Sequence, residues 1–135
     1  MEAGLRIALL GGRSDIEICA RLSEKIKDSL NLCSNNELFQ TAAAMRRCKA
    51  VVCNDSGLMH LACAVGVPVI TIFGSSVREF GFAPYKCKNL ILENKNLKCR
   101  PCSHIGRESC PKGHFKCMRD ILPEQLLAAV TQLMQ

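Results

Sequence analysis

Asn54-Asp55-Ser56-Gly57-Leu58-Met59-His60-Leu61-Ala62 follows the short apolar run Ala50-Val51-Val52-Cys53 and leads into small and apolar residues that stop at Gly66, with Pro68 just beyond. The pattern is strand, tight turn, helix. A carboxylate, a hydroxyl and a residue without Cβ therefore stand at the carboxyl end of a strand. They also stand at the amino end of a helix, where unpaired N–H groups and the macrodipole attract anions. His60 comes one turn after Ser56 on the same face. This layout suits a phosphate-bearing ligand with an imidazole near its reacting end. The same residues also make an ordinary helix N-cap, worth about 1 kcal/mol, and a lone helical histidine is more often structural than functional.

Around this unit the chain alternates strands and helices. Residues 5–10 form a short apolar strand ended by Gly11-Gly12. Residues 15–29 read as an amphipathic helix, with Ile18, Leu22, Ile26 and Leu30 recurring every four positions toward a core. A short strand at Leu32-Cys33 and a turn at Asn35-Asn36 precede a helix over 37–47, with Leu38, Ala42 and Met45 inward. After a helix over 56–65 come strands over 69–73 and 89–93, the first ending on Gly74. Pro123 opens a last helix through Leu126, Leu127, Val130 and Leu133. Strands alternating with helices over short connections predict an α/β fold, a Rossmann-like parallel sheet flanked by helices. Ligands of such sheets lie beyond the carboxyl ends of the strands. That singles out Gly11-Gly12-Arg13, Asp55-Ser56-Gly57 and Gly74-Ser75-Ser76.

A length of 135 residues, 48% of them hydrophobic, suffices for one domain with a real core and excludes a disordered chain. The longest apolar run, 61–73, is broken by Gly66 and Pro68 and is too short to span a bilayer. The first residues have neither a basic segment nor a long apolar one, so no signal peptide and a cytoplasmic location are expected. Six of the ten cysteines (Cys19, Cys33, Cys48, Cys53, Cys63, Cys87) lie in or near predicted elements, where most are expected to be small buried thiols. The other four sit in a Cys-rich basic loop at about 94–120. Residues 86–119 hold nine basic and two acidic groups, a charge of +7, so the remainder of a chain whose net charge is +6 sums to −1. Such a block suits nucleic acid, anionic lipid head groups or a phosphorylated saccharide, or is a solvated face.

The run from Val51 to Phe73 closely resembles the strand–DSGxxHxAxA–helix–strand signature of glycosyltransferase family 9, the ADP-heptose:lipopolysaccharide heptosyltransferases. The likeness continues through Phe73-Gly74-Ser75-Ser76, Phe80-Gly81-Phe82 with Pro84, and Cys99-Arg100-Pro101-Cys102. It ends with Cys110-Pro111, Gly113-His114, Cys117-Met118 and Pro123-Glu124, and so extends from about Leu9 to the C-terminus. The resemblance implies a two-domain GT-B enzyme of which residues 1–135 are the C-terminal, nucleotide-sugar-binding domain. The N-terminal acceptor domain, with its general base, is then absent, and this chain alone is expected to be inactive. The implied reaction is metal-independent, inverting transfer from ADP-heptose to the lipopolysaccharide inner core. It implies no required cofactor, and a site of action at the cytoplasmic face of the inner membrane, with peripheral contact to anionic lipid.

Under that resemblance the backbone amides of Ser56 and Gly57 grip the diphosphate, Gly57 admitting close approach because it has no Cβ. Asp55 caps the helix or orders the loop of the donor pocket. His60 donates a hydrogen bond to a phosphate oxygen or a sugar hydroxyl; it is the candidate catalytic side chain, with general-base action second to the base of the missing domain. Asn36 falls where relatives contact adenine, although Cys33-Ser34-Asn35-Asn36-Glu37-Leu38 departs from the family's Gly-x-Thr/Ser-Leu. Glu17, or Asp15, falls where an acidic residue meets ribose hydroxyls, and favourable charge at a helix start is the plainer reading. Ser76 keeps the hydroxyl of the family's Gly-Pro-Thr.

Cys99, Cys102, Cys110 and Cys117, with His104 and His114 as spare ligands, admit three readings: a structural zinc site, disulfides or redox-sensitive thiols, and plain thiols. Two other functions compete with glycosyl transfer. One is a non-enzymatic module binding nucleic acid through Lys98, Arg100, Arg107 and Lys112. It is disfavoured because Phe115 is the sole aromatic among them to stack on bases. The other is a nucleotide-sugar sensor.

Overall fold

Val51–Asn54 and Val69–Phe73 pair in parallel, and the chain between them forms the helix Gly57–Ala64. The computed structural model describes residues 4–34 and 37–135, which divide into a unit ending at Ala43 and a larger one beginning at Ala44. In chain order the strands are β1 (Ala8–Leu9), β2 (Leu30–Asn31), β3 (Val51–Asn54), β4 (Val69–Phe73) and β5 (Asn89–Glu93). The α-helices are α1 (Ile16–Lys25), α2 (Leu38–Met45), α3 (Gly57–Ala64), α4 (Lys116–Arg119) and α5 (Pro123–Met134).

In the larger unit β4 lies between β3 and β5, and all neighbours are parallel. Residues Val69, Ile70, Thr71 and Phe73 of β4 are fully buried, as a strand covered on both faces must be. On one face Ile70 packs against Ala129 and Leu133 of α5, with Leu90, Leu92, Leu126 and Val130 partly buried around them. Met59 and Ala62 of α3 are likewise fully buried. Gly66 adopts φ +79° and sends its N–H to the carbonyl of Cys63, while Val67 N–H bonds to Ala62, so α3 stops in a left-handed turn that favours glycine. The chain can then enter β4 at once. All three strands of this sheet end on the same side, at Asn54, Phe73 and Glu93.

In the smaller unit β1 and β2 form a two-residue parallel pair joined by α1. Gly11 is fixed by packing: a Cβ there would come within 2.7 Å of the Asp15 Cβ and 3.0 Å of the Cys33 Sγ. Asp15 accepts the Gly12 N–H at 2.9 Å, so this glycine turn is closed by its own neighbours.

Several expectations are corrected. The strand expected over 5–10 is reduced to Ala8–Leu9, and the one at Leu32-Cys33 is displaced to Leu30–Asn31. The helix expected over 15–29 stops at Lys25, after which Asp28 takes a left-handed φ of 60°. Ile18 and Leu22 of α1, expected to face a core, are exposed, because a two-residue strand pair offers that helix too little surface to cover; Leu30 lies beyond α1, in β2, and is exposed there. Leu38 is also exposed, while Met45 is buried as expected. The short helix α4 was not foreseen. Asn36 lies outside the described residues.

Candidate functional site

Asp55, Ser56, Gly57 and His60 follow the carboxyl end of β3, and Ser76 follows that of β4. Ser56 is the N-cap of α3, with extended backbone (φ −157°, ψ 170°), and no side chain caps the helix. The hydroxyl of Ser56 is therefore not used as a cap, and the role expected of Asp55 as a cap is replaced by another. Asp55 instead accepts a 2.6 Å hydrogen bond from the hydroxyl of Ser76, tying the β3–α3 turn to the loop after β4. Loop ordering was the other role anticipated for Asp55. Ser76 is buried, with its hydroxyl directed into the protein. Gly57 begins α3, and a Cβ built on it would meet nothing within 4 Å. No packing constraint of the described chain requires glycine there. Ser56, Gly57 and His60 are all exposed on the first turn of α3.

Gly74, by contrast, is required by the protein itself. A Cβ there would stand 2.6 Å from the Met118 sulfur, so α4 lies directly over the end of β4. Glu17 stands exposed in the first turn of α1, in the smaller unit.

Sequence reasoning missed the ion network beside these loops. Arg100 falls in the basic block of the sequence, but its side chain is only 5% exposed. It donates to the carbonyls of Gly74 (2.6 Å), Asn94 (2.7 Å) and Ser76 (2.9 Å), and to Glu93 Oε2 at 3.1 Å. A planar guanidinium with five N–H groups can serve several acceptors at once, which an ammonium cannot do in this geometry. Arg100, itself in the Cys-rich loop, thus ties the ends of β4 and β5 together. Glu93 Oε1 receives Arg78 through Nε (3.1 Å) and Nη2 (2.8 Å), with Lys95 at 3.9 Å. Val77, Arg78, Glu79, Leu97 and Lys95 line a cleft of about 420 Å³ with Glu93 and Arg100. The charged ending Glu93 of an apolar strand was the available signal for it.

Burial pushes the Glu93 carboxyl up, but hydrogen bonds from Arg78 and Arg100 outweigh it and hold the group below the usual carboxylate range. The folded pKa is depressed, so its stabilising contribution is present above the unfolded value of about 4.3 and lost as pH falls through the lower folded value. Unfolding by urea between pH 7 and pH 3 should therefore show less acid sensitivity in Glu93→Gln, which is weaker at pH 7 but flatter. Parallel pH profiles would contradict this.

Of the four loop cysteines, Cys102 and Cys110 lie near Cys117, and Cys99 lies beside His114. Among the described residues, no three or more His, Cys, Asp or Glu side chains are placed to hold a metal ion. Cys99 Sγ lies 3.8 Å from His114 Nε2, while Cys117 is buried. Backbone N–H groups, that of Phe115 foremost, hold the Cys110 thiol below its ordinary value. Burial, then the nearby Cys102 and Cys110, push Cys117 up. The nucleic-acid reading weakens, since Arg100 is internal and Arg107 Nε is bonded to the Cys102 carbonyl at 2.9 Å.

A parallel sheet with an open glycine turn at a helix start, and an α/β fold around it, can be compared with known proteins. The glycosyltransferase family 9 (heptosyltransferase) model matches residues 1–112. The chain belongs to glycosyltransferase family 9. Its relatives include lipooligosaccharide heptosyltransferase 2 of Haemophilus influenzae, 31% identical over 97% of this chain and 38% of that protein. Another is lipopolysaccharide heptosyltransferase 2 of Escherichia coli, 28% identical over 99% of this chain and 38% of that protein. Among solved structures, a family 9 glycosyltransferase from Veillonella parvula superposes with a TM-score of 0.79 at 26% identity, over 97% of this chain and 37% of that one. The E. coli ADP-heptose LPS heptosyltransferase II gives a TM-score of 0.72 at 28% identity, with the same coverage. This family 9 chain thus spans less than two-fifths of the length of the relatives it matches. The family's structures support the GT-B assignment of the fold.

Proposed function

We propose that this chain is the donor-binding part of a heptosyltransferase, holding ADP-heptose for inverting, metal-independent transfer to the lipopolysaccharide inner core. The observation that carries the reading is the open turn at Gly57, at the carboxyl end of β3 and the start of α3, in a family 9 chain. The amides of Ser56 and Gly57 stabilise charge as it develops on the departing ADP, the preorganised kind of electrostatic help that needs no rearrangement during reaction. His60, exposed one turn along, donates to a phosphate oxygen or to a heptose hydroxyl. Asp55 acts indirectly, because the Ser76 hydroxyl fixes it and with it the turn. The acceptor site and general base belong to a second domain outside these residues.

The reaction takes place at the cytoplasmic face of the inner membrane, where the acceptor lipid is held. Support comes from the loop at 94–120: Lys98, Lys112, Lys116 and Arg119 are exposed there, and Ile105 at its tip is 96% exposed. Cations around an apolar tip suit peripheral contact with anionic lipid. No helix among the described residues is long and apolar enough to cross a membrane.

Calorimetric titration of the purified 135-residue chain with ADP, ADP-heptose and UDP-glucose tests the donor assignment. Binding of the two adenine compounds, with UDP-glucose inert, is the expected result, and heptose transfer appears only when an acceptor domain is supplied. Failure of all three ligands on the two-domain enzyme overturns the donor assignment. Turnover by this chain alone overturns the division of labour.

A further inference from the structure

Cys63 and Cys87 carry a feature that sugar transfer does not use. Cys63 lies in the last turn of α3, the helix that begins at Gly57, and Cys87 lies just ahead of β5. Their sulfurs are 2.7 Å apart, both side chains are half-buried, and both are free thiols. The Asn89 side-chain amide donates to the Cys87 carbonyl at 2.9 Å, which fixes the backbone on that side of the pair. A covalent S–S bond is about 2.05 Å long, so closure needs less than about 1 Å of movement.

We propose that Cys63 and Cys87 form a reversible disulfide site, closed by a hydroperoxide, that locks the carboxyl end of α3 to the entry of β5. One thiolate attacks a peroxide oxygen of hydrogen peroxide, giving a sulfenic acid and hydroxide. The second thiol then attacks that sulfur and expels water, forming the S–S bond. Two thiols and one peroxide yield one disulfide and two waters, and a dithiol reductant reverses the reaction by thiol–disulfide exchange. Because Cys63 lies at the opposite end of α3 from Gly57, the bond constrains the helix without occupying the ligand turn. Burial, and then the hydrogen bond with Cys63, push the Cys87 thiol up to about 12. The initiating thiolate is therefore scarce near neutrality, and the reaction is slow there.

Cys53 is the competitor, since it lies near enough to Cys63 and Cys87 to interact with both. It lies on β3 opposite Thr71 of β4, and burial foremost pushes it up to about 11. Prolonged treatment of the full chain with hydrogen peroxide, blocking with N-ethylmaleimide under denaturing conditions, and tryptic mass mapping test the site. Trypsin releases residues 50–78, which hold Cys53 and Cys63, and the dipeptide 87–88. The expected product joins these two peptides, forms equally in Cys53→Ala, is absent in Cys63→Ala, and disappears with dithiothreitol. The proposal is overturned if Cys63 and Cys87 are both recovered alkylated while the loop cysteines oxidise. It is equally overturned if Cys53 supplies the bond, so that the linked product vanishes in Cys53→Ala.

Discussion

Arg100→Ala should lower unfolding stability by about 3–5 kcal/mol, the usual consequence of removing one partner from a buried ion pair. The guanidinium is 5% exposed and its partner carboxylate 6%, so neither is screened appreciably by water. Without it Glu93 keeps only the half-exposed Arg78 and the outlying Lys95, and the carbonyls of Gly74, Ser76 and Asn94 lose their donor. Each buried acceptor left without a partner adds a desolvation cost. Arg100→Lys should recover little of the loss, because one ammonium cannot reproduce the fork. Urea unfolding followed by far-ultraviolet circular dichroism measures this. A midpoint within experimental error of the parent chain would show that the network is not a stabilising element.

Gly57→Val should weaken ADP binding by roughly 10²-fold, comparable to the loss of a preorganised anion donor, while leaving the fold intact. The two effects separate because of the geometry. A Cβ at position 57 meets nothing in the described protein, so the folded chain has room for the new side chain. Valine at the start of a helix is not a propensity burden beyond a few tenths of a kcal/mol relative to other residues, and replacing glycine tends to offset even that. The ligand, by contrast, must reach the amides through the space that the isopropyl group fills. Calorimetry with ADP, paired with a thermal melt, reads both quantities. Lost binding with an unchanged melt is expected; unchanged binding would remove Gly57 from the donor site.

The larger unit was legible because its segments carry strong local signals. Val69–Phe73 and Asn89–Glu93 were bounded by glycine or by charged residues, Pro123 marked the start of α5, and the Asp55-Ser56-Gly57 turn marked the start of α3. The smaller unit was read less well. The four-residue recurrence of Ile18, Leu22 and Leu30 predicts a buried face only if enough sheet exists to cover it, and strand length is not written in that periodicity. Arg100 and Glu93 were missed for a different reason. Glu93 is marked only by its charge at the end of an apolar strand, the charge of Arg100 looks like surface in a local window, and the acceptors that bury Arg100 are brought together only when two parallel strands end side by side. Ser76 was picked out by its hydroxyl, and that hydroxyl serves Asp55. The glycines divide in the same way: Gly11 and Gly74 are demanded by neighbouring atoms, and Gly57 is not.

Nuclear magnetic resonance of the nitrogen-15-labelled chain during ADP addition tests the anion turn most directly. Saturable shifts of the Ser56, Gly57 and Leu58 amide signals, with α5 signals unmoved, are what an anion held at the start of α3 requires. Saturable shifts confined to other residues, or none at all, would contradict it.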